Sequence, residues 1–173
     1  SDTDLPVFVA EAVVRNLVTD LTTAVALHTG CVANNGKAIL IAGASGAGKT
    51  SLTAWFVEKG FDYVTDEVAI LSQDQRVNGL QRALVLKLGS AEKIIGEFEK
   101  FRGAPKLSSG EQILSHPNRA ARFAEKSLPC SFIIFPKFRR HADLRIQSIS
   151  AAETAMLLVG CNLNARNLAD GGF

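Results

Sequence analysis

The chain of 173 residues is 47% hydrophobic and carries 19 Lys and Arg against 17 Asp and Glu, which suits one domain with a sizeable core. No apolar run approaches the roughly 20 residues of a membrane span, and the opening Ser-Asp-Thr-Asp is acidic where a secretory leader is basic; no membrane role and a cytoplasmic location are therefore expected. Cys31, Cys130 and Cys161 are widely spaced and form neither a C-x-x-C pair nor a zinc-spaced cluster, so they read as buried thiols.

Val7, Ala10, Val14, Leu17 and Leu21 recur at helical spacing and predict a helix over much of 7–27, an N-terminal segment ahead of the core. His28-Thr-Gly-Cys-Val-Ala33 reads as a strand, and Asn34-Asn-Gly-Lys37 is a type I′ hairpin signal. The apolar run Lys37–Ala42 is then a second strand, antiparallel to the first. Directly after it, residues 43 to 50 read Gly-Ala-Ser-Gly-Ala-Gly-Lys-Thr, a full match to the phosphate-binding pattern G-x-x-x-x-G-K-[ST]. Gly43, Gly46 and Gly48 let the backbone curl with its N–H groups inward. Ala44, Ser45, Ala47 and Ser51 complete the nucleotide-binding stretch. Lys49 supplies a charge for the β- and γ-phosphates, Thr50 a hydroxyl for Mg²⁺, and the helix that starts here the positive end of its dipole. That helix runs to Glu58, with Leu52, Trp55 and Phe56 expected on one face and Gly60 as its stop.

Strands are expected over Phe61–Asp66 and Glu67–Ser72, meeting at the acidic pair Asp66-Glu67, then a turn at Gln73–Arg76 and a strand over Arg82–Leu88. Ser90–Phe101 reads as a helix and Gly103–Pro117 as a polar loop. Cys130–Phe135 reads as a strand ended by Pro136, and Leu144–Ile149 alternates like another strand. Ser150-Ala-Ala-Glu153 is a capping box opening a final helix. Residues 101–150 hold nine Lys and Arg against three Asp and Glu, with Lys137, Arg139 and Arg140 close together. This patch can meet phosphates or an acidic partner, or be a solvated face; it lacks the interleaved aromatics of a single-strand binder, and no nucleic acid is expected.

A nucleotide site needs a carboxylate near its Mg²⁺, and a kinase needs one to accept the proton of the attacking hydroxyl. Asp66 and Glu67 at a strand end can divide those tasks. His28, at the start of the hairpin, can tune a carboxylate by charge or hydrogen bond if its strand flanks the loop strand.

His28, the Asn-Gly hairpin, Gly43–Thr50 and Thr65-Asp66-Glu67, in that order, resemble the catalytic domain of HPr kinase/phosphorylase. They resemble the bacterial HPr-kinase-related proteins more closely. Phe132-Ile-Ile-Phe-Pro-Lys-Phe-Arg139 and the helix from Ser150 extend the likeness, which spans roughly residues 28–160. The resemblance implies an α/β P-loop nucleotide-binding domain of the HPr kinase and phosphoenolpyruvate carboxykinase-like type, 1–173 as one domain, with a mixed sheet whose antiparallel hairpin leads into the P-loop. It implies Asp66 as general base with His28 beside it, Lys49 on the phosphates, and Thr50, Glu67 and Asp66 on the metal side. Two features depart from the bifunctional enzymes: Glu67 stands where they have Asp, and their Glu-x-Arg-Gly-x-Gly signature is absent. A phosphorylase activity, and HPr itself as acceptor, are therefore not implied.

The function expected is an ATP- and Mg²⁺-dependent phosphotransferase acting on a hydroxyl, that of Ser foremost, of a protein or peptide. Arg139 and Arg140 are candidate clamps for phosphate or an acidic substrate. The family allows a homo-oligomer. The alternatives are a non-catalytic ATP-binding regulatory module and a small-molecule kinase.

Overall fold

The computed structural model describes residues 5–80, 83–87, 98, 112–114, 127–139 and 141–169. In chain order they form α1 (Leu5–Thr19), β1 (Val25–Leu27), β2 (Gly30–Asn34), β3 (Lys37–Ile41), α2 (Lys49–Glu58), β4 (Asp62–Thr65), β5 (Ala69–Leu71), β6 (Arg76–Gly79), β7 (Leu84–Leu86), β8 (Gln112–Leu114), β9 (Leu128–Ile134) and α3 (Ala151–Val159), then a 3₁₀ turn at Ala165–Asn167. The architecture is α/β. Seven strands make one mixed sheet in the order β1-β5-β6-β9-β3-β2-β4, and β7 pairs with β8 apart from it. Within the large sheet β3 and β9 run parallel and the other neighbours antiparallel.

The β2–β3 hairpin is the one the Asn-Gly pair predicts. Asn35 and Gly36 have φ of 50° and 73°, both positive as a type I′ turn requires, and the register closes at Asn34 opposite Lys37. The pleat then sends Cys31, Ala33, Ala38 and Leu40 into one apolar cluster and Val32 and Ile41 into another. β2 and β3 are therefore buried on both faces. One cluster closes against Leu158 of α3 and Cys161 just beyond it; the other closes against Ala54 and Val57 of α2.

The large sheet curls. β4 and β6 are separated by β9, β3 and β2 in the strand order, which in a flat sheet would hold them well apart. Yet a Cβ on Gly79 of β6 would lie 2.6 Å from the carbonyl oxygen of Val64 in β4. The Thr65 hydroxyl donates to the Leu80 carbonyl at 2.9 Å, and the Leu80 N–H to the Val68 carbonyl at 3.1 Å. Gly79 permits the close approach of β6 to the end of β4, from which the acidic pair follows.

Several expectations need correction. The first helix ends at Thr19, and Val25–Leu27 is strand β1, paired with β5. Leu17 is 55% exposed; Val14 and Val18, an i, i+4 pair, make the helix contact instead. β2 begins at Gly30, so His28 lies in the β1–β2 connection. On α2 the buried row is Lys49, Thr53, Ala54 and Val57, and Trp55 is exposed with the Lys59 ammonium 5.8 Å from its ring centroid. Small Thr53 and Ala54 let the helix approach the sheet, which pushes the large rings to the rim. Gly60 does end the helix, in a Schellman arrangement: its N–H bonds to the Val57 carbonyl at 3.1 Å and that of Phe61 to the Phe56 carbonyl at 3.1 Å. Gln112–Leu114, expected as loop, pairs with β7. Leu144–Ile149, expected as a strand, is not one, and Leu144 and Ile146 are exposed. Alternation makes a buried face only where a neighbouring strand covers it, and none does among the described residues. The helix expected at Ser90–Phe101 lies outside the described residues apart from Phe98, which packs against the α2 cluster.

Candidate functional site

The glycine loop joins β3 to α2. Gly43, Gly46 and Gly48 have φ of 143°, 80° and 100°, so the turn is written in conformations that a side chain with a Cβ resists. Gly48 caps α2 without any side-chain bond, which leaves the start of the helix to its own backbone N–H groups. Lys49 is 8% exposed, and its ammonium donates to the Gly43 and Ala44 carbonyls at 2.8 and 3.2 Å. The lysine thus closes the loop upon itself. Ala44, Ser45 and Gly46 stand exposed on the outside of the turn, and Thr50 and Ser51 are half-buried in the first turn of α2.

Asp66 sits against that same first turn. The Thr50 and Thr53 hydroxyls face its carboxyl. The Thr53 hydroxyl also lies 3.0 Å from the Lys49 carbonyl, to which it can donate. One carboxyl oxygen, Oδ1, is buried and has no hydrogen-bond partner among the described residues. Burial pushes the Asp66 pKa up to about 7, the Thr50 and Thr53 hydroxyls pull it down, Glu67 pushes it up and Lys49 pulls it down. Gly30, at the start of β2, makes room for this corner: a Cβ there would collide with the Thr53 hydroxyl and come within 3.3 Å of Asp66 Oδ1.

His28 joins the corner through Glu67 rather than through Asp66. Its Nδ1 lies 3.7 Å from Glu67 Oε1, both side chains being about two-fifths exposed. Burial lowers the His28 pKa, Glu67 raises it, and Lys49 and Lys87 lower it. The Glu67 N–H is turned back to the Thr65 hydroxyl at 3.4 Å. Two adjacent carboxyls are thereby split: Asp66 faces inward to α2, Glu67 outward to a histidine.

The parallel neighbour of β3, β9, also reaches the loop. The Ala42 N–H bonds to the Ile134 carbonyl at 2.9 Å, and beyond β9 the Phe138 N–H bonds to the Ala47 carbonyl at 3.3 Å. Arg139, next in the chain, is exposed beside this seam; Arg140 lies outside the described residues. Loop, Lys49, Thr50, Asp66, Glu67 and His28 are therefore assembled, and Arg139 is carried to the edge of the assembly.

Sequence reasoning missed Thr53, Gly30 and Lys87. Thr53 was findable, since it stands one helical turn after Lys49 and Thr50 on the face that must meet the sheet. Gly30 and Lys87 carry no local signal; their places follow from the curl of the sheet and from β7.

No cluster of three or more His, Cys, Asp and Glu that could cage a metal occurs among the described residues. Mg²⁺ on a phosphate chain keeps waters and takes only one or two protein oxygens. The Thr50 hydroxyl and a carboxyl with an unpartnered buried oxygen fit that demand. The chain matches no protein-family model, no curated protein and no solved structure.

Proposed function

We propose that this chain is a Mg²⁺- and ATP-dependent phosphotransferase of the HPr-kinase-related type that acts on a serine hydroxyl of a protein or peptide. The observation that carries the reading is the buried Asp66 Oδ1, unpartnered among the described residues and held against Thr50 at the start of α2, one residue from a lysine that now spends its hydrogen bonds on loop carbonyls. A buried polar atom without a partner costs free energy and calls for an explanation; a bound metal or an acceptor proton supplies one.

In this reading Lys49 leaves the Gly43 and Ala44 carbonyls and donates to phosphate oxygens. The Thr50 hydroxyl, with Asp66 or Glu67, holds Mg²⁺, which neutralises charge on the transferring phosphoryl group. Asp66 takes the proton of the attacking hydroxyl; a carboxyl poised near neutrality suits a base at physiological pH. His28 keeps Glu67 oriented. Arg139 receives an acidic acceptor or a phosphate.

The test is calorimetry with Mg-ATP followed by phosphoryl transfer to a panel of serine-containing peptides and proteins. Wild-type protein should bind, Lys49→Ala should lose at least tenfold in affinity, and transfer should appear with one class of acceptor. Absence of any heat with Mg-ATP overturns the reading. Normal binding with transfer to none of the panel favours the regulatory module instead.

A further inference from the structure

We propose that Phe138 is the platform on which the base of a nucleoside triphosphate stacks; this rests on the phosphate-loop reading of Gly43–Thr50. β9 is the parallel neighbour of β3, with Ile41 opposite Ile134, so both strands leave the sheet at the same end. In open α/β sheets that carboxyl end is where ligands lie, in the crevice between neighbouring strands. The segment after β9 is fastened there by backbone: the Phe138 N–H holds the Ala47 carbonyl. Its Cβ lies 3.6 Å from where a Cβ on Gly48 would be, so the side chain begins directly over the residue that opens α2.

Phe138 is 78% exposed. A phenylalanine left open to water at the rim of an anion-binding loop gains from a planar apolar partner. The neighbours narrow the choice of partner. Lys137 and Arg139, which precede and follow Phe138 in the chain, are exposed as well, so the ligand offered to this rim combines an aromatic plane with negative charge. A nucleoside triphosphate has both, with its phosphates on the loop and its base beyond them. Asp66 Oδ1, unpartnered among the described residues and set beside Thr50, suits the metal end of the same ligand. Stacking reads a π face and no edge, so ATP and GTP should depend on Phe138 alike.

The experiment compares Mg-ATP with Mg-tripolyphosphate by calorimetry on the full chain. Phe138→Ala leaves the backbone bond to Ala47 in place. It should weaken Mg-ATP about tenfold and Mg-tripolyphosphate less than about twofold, and Phe138→Tyr should restore ATP binding. Lys49→Ala should weaken both probes. Unchanged ATP affinity in Phe138→Ala, or an equal loss on both probes, overturns the platform while leaving the loop reading intact. Wild-type protein that binds neither probe overturns both.

Discussion

Two polar corners among the described residues, around Asn164 and around Asp66, differ in whether their hydrogen bonds close. At one, Asn164 is 3% exposed and fully used. Its Oδ1 accepts from the Ala26 N–H at 2.8 Å, and its amide donates to the Leu21 and Ala24 carbonyls at 2.9 and 3.0 Å. The Leu163 N–H to the Ala26 carbonyl and the His28 N–H to the Cys161 carbonyl, each 2.8 Å, finish the seam between β1 and the chain after α3. At the other, around Asp66, Oδ1 has no partner among the described residues and Lys49 falls back on carbonyls of its own loop. A closed network specifies a fold; an open one leaves a polar group that calls for an explanation. Every substitution below asks whether that division of labour is real.

The largest effect should come from the open corner. Asp66→Asn keeps the shape and removes the proposed base, so on that reading phosphoryl transfer should fall about 10²- to 10⁴-fold, while Mg-ATP affinity moves far less. A comparable loss in both would make Asp66 a binding group only.

The same substitution should change stability in the opposite sense. The Asp66 pKa is raised from 3.8 to about 7, so the folded state holds a proton that the unfolded state releases. Its contribution is fully present below pH 3.8 and is lost as pH rises through about 7. The ceiling is about 4 kcal/mol, from about 1.4 kcal/mol per pH unit. His28 runs against this: its pKa is lowered, and protonating it costs stability as pH falls below 6.5. The difference between wild type and Asp66→Asn in urea midpoints from pH 4 to 8 isolates the aspartate. Parallel curves for the two proteins would contradict its burial.

Breaking the closed device should do the reverse. Asn164→Ala takes the partner from one buried N–H and two half-buried carbonyls, a loss of about 3 kcal/mol, with Mg-ATP affinity within about twofold at temperatures where the protein is folded. Gly30→Ala lies between the two devices in kind. Its new methyl would be driven into the Thr53 hydroxyl beside Asp66, costing about 2 kcal/mol by overpacking. It should also depress transfer more than Asn164→Ala does. Equal behaviour of the two variants in the transfer assay would erase the distinction.

The sequence makes one side of this comparison far more legible than the other. Asn35-Gly36, Gly43–Thr50 and Ser150–Glu153 each encode their geometry within a few residues, because a positive φ, a helix start or a cap is a local demand. The open corner was readable in its parts for the same reason: Lys49, Thr50 and Asp66 were picked by residue type and came together. The pairing of His28 was not, since it depends on which carboxyl the bend after β4 turns outward. Asn164 was invisible. Its three partners lie about 140 residues away in sequence, and an asparagine near a chain end looks like any surface asparagine. Leu144 and Ile146 misled for the converse reason, as their alternation is real while the neighbour that would give it meaning is absent among the described residues.

The smallest effect tests whether closure alone, without burial, is enough. The box at the start of α3 is as complete as the Asn164 network: the Ser150 hydroxyl accepts from the Glu153 N–H at 3.2 Å, and Glu153 Oε2 accepts from the Ser150 N–H at 2.8 Å. Both residues are exposed, however, and water can replace what a substitution removes. Ser150→Ala should therefore cost only about 1 kcal/mol, well under the loss at Asn164. The bonds to Ser150 also hold the Glu153 pKa below its ordinary value, so this contribution is present above pH 4.5 and fades as pH falls through the lowered value. Wild type and Ser150→Ala should then converge in acid. A Ser150→Ala loss equal to that of Asn164→Ala would mean that burial has no part in the difference, and the contrast between closed and open devices would have to rest on bond count alone.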